Sequence, residues 1–428
     1  MAEIKPFKAW RYHQKLSSQI SELCSPLFDV VSEKQRRILY SNPLNSIHLS
    51  VPSGNEPIKM AMSIWKKWRN EGIVVQEDKP SIYVYYQYFS LPLQSKILCR
   101  KGFISFVKAS FHEEKSILLH ENTIPLAVND RFELLKATEL NVSPTHGLYS
   151  DNDFVLEPYM DEAILNPLYD VEDYQGVRNV IAKIDNPVVV EKFVRHLKDK
   201  TIILADGHHR FESSVMLRKE KMKNNPRDTG KEPYHYHLMY LTNMEATDLR
   251  ILPTHRLLHG LNPELVSKEY FLEKAKEYFH VIEIPENDNL NEIIVGKKWA
   301  FGVVLKDSTF KLRLKEDSFP KLDWKFPVQV KEMDLTIMHY FIIEKILGIK
   351  GKDQRTSNNI SFERNFHHCL SKVEHGEAQI ALITNEISIQ QVKNICYSGY
   401  TLPQKSTYFY PKVVCGLVYG SIAEEDWK

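Results

Sequence analysis

Of the 428 residues only five are cysteine, Cys24, Cys99, Cys369, Cys396 and Cys415, and no two form a CxxC pair. That spacing excludes a zinc ribbon or a dithiol redox motif, and an odd, scattered set fits a reducing compartment better than a disulfide framework. Long apolar runs are missing as well. Stretches such as GLVYG stay far below the ~18 residues of a membrane span. The opening MAEIKPFKAW places an acid and several lysines where an export signal needs an apolar region. A cytoplasmic, soluble protein with no membrane partner is expected. Charge of one sign is also lacking: Lys+Arg 56 against Asp+Glu 55 leaves +1. No global field holds a polyanion, so nucleic acid is not expected as a partner.

What is present is ordinary globular material, 43% hydrophobic and 26% charged, on a chain long enough for two or three domains. PIKMAMSIWKKWRNEG (57–72) spaces Ile58, Met62, Trp65 and Trp68 near the helical period and stops at Gly72. SIYVYYQYF (81–89) and GFISFVKASF (102–111) have the β-branched and aromatic content of paired strands. Residues 151–176 turn acidic and irregular, which predicts a surface excursion or a boundary. Residues 295–313 predict a hairpin, and LTIMHYFIIEKILGI (335–349) predicts an apolar helix. The expected fold class is α+β, divided at 1–150, 151–260 and 261–428.

One stretch carries chemistry. In TIILADGHHRFE (201–212) an apolar strand pattern meets a helical one, and only ADGHH lies between. A helix N-terminus reached by such a turn presents roughly half a positive charge and suits an anion, with phosphate the natural candidate. Gly207 lets backbone approach an oxygen, Arg210 supplies a fork of donors, and His208 or His209 adds a hydrogen bond. The bland alternative is that Asp206 caps the helix and the histidines are structural. Adjacent residues on a helix point about 100° apart, so both rings are not expected on one metal ion. HENT (120–123) is followed by Ile124 and so fails HExxH. No stable protein-bound metal is expected.

Further polar clusters are His120, Glu121, Asn122 and Thr123; Asp130 and Arg131; and Pro253, Thr254, His255 and Arg256. Near the end, YTLPQKSTYFYPK (400–412) reads either as an edge strand with tyrosines on lysine stems or as a strand bringing Lys405 and Ser406 to an anion. Together these groups supply the cations and the carboxylate that phosphoryl transfer needs. There is no GxSxG, and Cys369, which follows His367 and His368, sits among helix residues that read as structural.

SPLFDVV (25–31), NPLNSIHLS (42–50), HENT with DR (130–131), ADGHHRFE (205–212), LPTHR (252–256) and LPQKSTYFYPK (402–412) follow one another in this order. The pattern resembles a domain-of-unknown-function family whose members carry SpoOJ/ParA/ParB/RepB-like names. It departs at SPLFDVV, where that family more often has Pro-Pro-Tyr-Asp, which leaves Pro26 and Phe28 without an implied role. The ADGHHR motif is similar to the phosphate-holding box of the ParB/sulfiredoxin fold, so the resemblance implies a ParB/sulfiredoxin-like mixed core over 151–260 with α+β regions on either side. Members of that fold include a free-serine kinase, and relatives stand beside serine-biosynthesis genes.

The resemblance therefore implies phosphate transfer from a nucleotide, ATP or ADP with Mg²⁺, to a small hydroxyl metabolite such as serine. Gly207, His208, His209 and Arg210 would hold phosphate, Arg256, Lys405 and Ser406 would assist, and Glu121, Asp206 or His208 would do the acid–base work. Two other readings stay open: a non-catalytic nucleotide-binding regulatory protein, and a hydrolase of a phosphorylated metabolite.

Overall fold

The computed structural model describes every residue except 28–30, 92–94, 122, 124, 286–288, 403–404 and 428. Phe28 and Asn122, both singled out above, thus lie outside the described residues. The chain divides into two compact units. Unit 1 comprises Met1–Leu119, Thr123–Arg250 and Phe409–Lys428, and unit 2 comprises His120–Asn122 and Ile251–Tyr408.

Unit 1 is built on a nine-stranded mixed sheet. Its strands are β1 (Ile4–Lys5), β2 (Ile82–Phe89), β3 (Leu98–Lys108), β4 (Ile117–Leu119), β5 (Thr145–Tyr149), β6 (Tyr169–Glu172), β7 (Arg178–Ile184), β8 (Ile202–Asp206) and β9 (Tyr236–Asn243). They lie in the order β4-β8-β5-β9-β3-β2-β7-β6, with β1 paired to β3. The period-2 alternation of β2 sends Tyr83 and Tyr85 to one apolar cluster and Ile82, Val84 and Tyr86 to another. Both faces are therefore covered. Helices α1 (Pro57–Asn70) and α2 (Pro125–Thr138) bring Trp65, Trp68 and Phe132 to the first cluster, and α3 (Pro187–Lys198) brings Val190, Phe193 and Leu197 to the second. Each such buried side chain contributes about 1.5–3 kcal/mol. Helix α3 starts where Asn186 accepts from the Val188 N–H at 2.9 Å and Pro187 fills the first turn.

The helix expected from 57–72, the 295–313 hairpin and the strand–turn–helix at 202–224 are all present. The division at 150 is not where the contacts place it. Strands β3, β5 and β8 share one sheet across that point, and Tyr169–Glu172, inside the irregular 151–176 region, is the strand at the sheet's end. The last twenty residues also differ from expectation, returning to unit 1 and not remaining with 261–428. Backbone pairing fixes them there: Cys415 N–H donates to Ser25 at 2.8 Å and Tyr419 N–H to Trp10 at 2.8 Å.

Unit 2 holds a six-stranded antiparallel sheet. The apolar helix expected over 335–349 is helical, but only Asp334–Ile337 is α-helix, and Met338–Ile346 forms a π-helix. No helix of the described residues is long and apolar enough to cross a membrane.

Candidate functional site

The turn at 206–210 stands at the end of β8. Between Leu204 and Asp206 the pairing of β8 with β5 shifts register, so Asp206 faces His146 across an irregularity that re-aims it. Gly207 then takes φ 89°, a left-handed conformation that an L side chain resists. A Cβ added there would meet Thr145 Cγ2 at 2.6 Å and Arg210 Nη2 at 2.7 Å. Glycine is thus required twice, by torsion and by space. Helix α4 (His208–Asn224) begins immediately, with Gly207 as its N-cap and no side chain capping it.

Asp206 does not cap the helix. Its carboxylate is bound by the Lys412 ammonium and by Arg210 Nη2 at 3.3 Å. Burial works against the charged carboxylate, but Lys412, Arg210 and His208 outweigh it and hold its pKa well below the usual range. Arg210 is fixed on its other side, where Nη1 donates to Ser143 Oγ and to the Pro144 carbonyl, each at 2.8 Å. Two cations thus meet one carboxylate at the positive end of a seventeen-residue helix.

Lys412 is delivered by the C-terminal segment. Its carbonyl accepts from Gln87 Nε2 at 3.0 Å, and the Pro411 carbonyl accepts from the buried Arg100 guanidinium. Around the turn His146 and His237 are held neutral. Burial, then Arg100, pushes His146 down, and its Nε2 bonds Thr242 Oγ1 at 2.8 Å. His237 is pushed down to about 3 by burial and Arg210, with Ser214 and Thr145 hydroxyls on its two ring nitrogens. His208 is buried and His209 half-buried.

The second group of expected residues lies in unit 2. Glu121 accepts from the Thr407 N–H at 2.9 Å, from Thr407 Oγ1 at 3.0 Å and from the Lys405 N–H at 3.1 Å. His120 Nε2 bonds the same hydroxyl at 2.7 Å. Glu121 therefore braces the 405–407 backbone. Ser406 is buried, and the Lys405 ammonium lies 5.5 Å from the centre of the Phe362 ring. Arg256 is wholly buried, donates to His339 Nε2 at 3.3 Å and to the Thr254 carbonyl, and is pushed down to about 10 by burial, against the pull of Glu121. The expected residues thus form two clusters: Asp206 to Arg210 in unit 1, and Glu121, Arg256, Lys405 and Ser406 in unit 2.

Sequence reading passed over Lys412 in favour of Lys405 and Ser406. Both lysines stand in the same motif, and nothing local shows which one the chain returns to unit 1. Glu212 was also passed over, although it closes ADGHHRFE. Burial raises its pKa against the opposing pull of His112, whose Nε2 lies 3.0 Å away. Among the described residues one trio has metal-ligand proximity: Asp228, Glu232 and His235. There Arg218 Nε donates to His235 Nδ1 at 2.9 Å, so Nε2 carries the ring proton that faces Asp228 at 2.8 Å. A protonated nitrogen is not a metal ligand.

No curated protein matches the chain in sequence. A solved free serine kinase in complex with AMP is similar in structure at 13% identity and a TM-score of 0.39, over 76% of this chain and 93% of that one. A conserved hypothetical protein from Pyrococcus furiosus is similar at 13% identity and a TM-score of 0.37, over 76% and 97%. SbnI from Staphylococcus aureus, truncated at its C-terminus, is similar at 13% identity and a TM-score of 0.34, over 72% and 84%. Agreement this partial establishes no ligand or activity for the present chain. In sequence, residues 4–336 match the family described as "Protein of unknown function (DUF1015)", and the chain belongs to that family.

Proposed function

We propose that unit 1 binds a nucleotide phosphate at the 206–210 turn and transfers a phosphoryl group to a small hydroxyl metabolite, with serine the first acceptor to test. The observation that carries this reading is the buried meeting of Arg210 and Lys412 over one carboxylate at the start of α4. An anion entering there meets two cations set against one carboxylate, a net positive charge, and the helix dipole. On this reading β8, the turn and α4 are the ParB/sulfiredoxin-like element of the fold, and Gly207, His208, His209 and Arg210 hold phosphate.

In transfer, the acceptor oxygen forms a bond to phosphorus, the bond from phosphorus to the nucleotide oxygen breaks, and the hydroxyl proton passes to a base. Asp206 suits that base role poorly, because Lys412 and Arg210 hold its pKa well below the usual range and leave it little affinity for a proton. Glu121 braces the 405–407 backbone and is assigned a positioning role, with Arg256, Lys405 and Ser406 as auxiliary groups of that cluster. We assign proton transfer to Glu212, one helical turn beyond His208 and raised by burial. Since Asp206 is engaged by cations, the turn offers ligands for phosphate and not for metal. Mg²⁺ would belong to the nucleotide.

The test is phosphorus NMR of the protein with ATP or ADP, Mg²⁺ and a panel of hydroxyl metabolites that includes L-serine. A new phosphomonoester, abolished by Lys412→Met and strongly reduced by Glu212→Gln, supports transfer. Nucleotide binding without a new species supports the regulatory reading, and inorganic phosphate released from a phosphorylated metabolite supports a hydrolase.

A further inference from the structure

Unit 2 contains a cleft of about 630 Å³ that the phosphate reading does not use. Its size is that of a small-molecule site. Trp324, Phe326, Phe362 and Tyr400 line it, and Trp324 meets Phe326 edge-on at 5.8 Å and Tyr340 at 5.3 Å. Phe326 and Tyr400 remain 40% and 41% exposed. Two large rings left in water on one cleft leave apolar area to be covered.

The charged groups that line it are of one sign, while the Glu344 carboxylate behind the wall accepts from Trp324 Nε1 at 3.3 Å. Lys325, Lys352 and Arg355 line the cleft, and no carboxylate is among the described lining residues. Behind the wall Arg256 adds a buried cation 5.3 Å from the centre of the Phe362 ring; the Glu121 carboxylate acts on it, but among the described residues its Nη2 has no hydrogen-bond partner. A buried donor left unpaired costs about 1–3 kcal/mol and marks a place where an acceptor or a nearby anion is favoured.

The π-helix Met338–Ile346 forms part of the wall through His339. Wide turns of this kind are frequent at functional sites. His339 Nε2 accepts from Arg256, so its Nδ1–H donates to Gln354 Oε1 at 2.8 Å. Gln354 Nε2 in turn donates to the carbonyls of His339 at 3.0 Å and Ile349 at 2.8 Å. Burial and Arg256 hold His339 neutral, its pKa down to about 3. The wall is thus a fully assigned hydrogen-bond chain that ends on a cation.

We propose that the cleft between Trp324, Phe362 and Tyr400, rimmed by Lys325, Lys352 and Arg355, binds a small planar aromatic anion. The rings cover the planar face, and the cations take the negative group by ion pairing and cation–π contact. A neutral aromatic makes no use of the positive rim, and a simple inorganic anion leaves the rings in water. The proposal concerns unit 2 alone and does not depend on the phosphate reading of unit 1.

The full chain is titrated with 8-anilinonaphthalene-1-sulfonate, with its neutral analogue N-phenyl-1-naphthylamine and with sulfate as competitor. One saturable site is expected, with the neutral analogue at least tenfold weaker and sulfate a poor competitor. Lys325→Glu with Lys352→Glu should weaken the sulfonate at least tenfold, and Tyr400→Ala should weaken both aromatic probes. These side chains are exposed, so the unfolding temperature should not change. Arg210→Ala should leave sulfonate binding intact. Absence of saturable binding, equal affinity for the neutral analogue, or indifference to both the charge reversal and Tyr400→Ala would overturn the proposal.

Discussion

Replacing Lys412 by methionine keeps the stem and deletes the charge that offsets Asp206. The side chains of Lys412, Arg210 and Asp206 are only 10%, 12% and 15% exposed, so water replaces little of what is lost. Breaking a buried ion pair on one side costs about 3–5 kcal/mol. Arg210 still faces the carboxylate at 3.3 Å, which places the expected loss near the lower end, about 3 kcal/mol. Asp206→Asn with Lys412→Met removes both charges and should cost clearly less than the sum of the single changes. Urea unfolding at pH 7, paired with hydrogen exchange of the β8 amides to follow unit 1 itself, measures all four species.

The pH dependence has a definite sign. Asp206 is depressed in the folded state, so its contribution is complete above the ordinary aspartate value near pH 4 and is lost as pH falls below it. In Lys412→Met the onset stays near pH 4, where the unfolded chain sets it, and the total loss should be smaller and end at a higher pH. A cost under about 1 kcal/mol at pH 7, or additive single changes, would refute the argument that these charges hold one another.

Gly207→Ala should cost about 2–4 kcal/mol, from the left-handed torsion and the overlap with Thr145. Gly176→Ala, at φ 75° with open space around its Cβ, should cost only the torsional share when both are compared by urea unfolding. His237 should show no imidazole titration by nitrogen NMR between pH 8 and 5, because its folded pKa is about 3. The unfolded chain takes up that proton near pH 6.5, so this residue lowers stability as pH falls from there toward 3. Titration of His237 above pH 5 would contradict the assignment. Zn²⁺ should leave the unfolding midpoint unchanged, because His235 presents a protonated Nε2 to Asp228 and Glu232. A rise removed by His235→Ala would show that reasoning to be wrong.

Local patterns carried much of this architecture. The spacing of Trp65 and Trp68, the β-branched and aromatic content of IYVYYQYF and the change of period at ADGHH each describe an element correctly, because adjacent residues decide those elements. Where the chain folds back on itself was not legible. The pairing of Cys415 with Ser25 and of Tyr419 with Trp10 spans almost the whole sequence, and no local signal marks it. The same blindness hid Lys412, whose partner lies 206 residues away. It also left open whether the other polar clusters join the 206–210 turn, since His, Arg and carboxylate content says nothing of which unit each belongs to. The π-helix escaped for a different reason: α- and π-turns share an apolar pattern, and the choice is made by packing and by Gln354.

The most direct test of the central claim is a titration of the nitrogen-labelled protein with ATP and Mg²⁺, following the backbone amides of Gly207, His208 and His209. The account predicts saturable shifts at these three amides, much reduced in Lys412→Met. Binding that shifts other amides and leaves these three in place would contradict it.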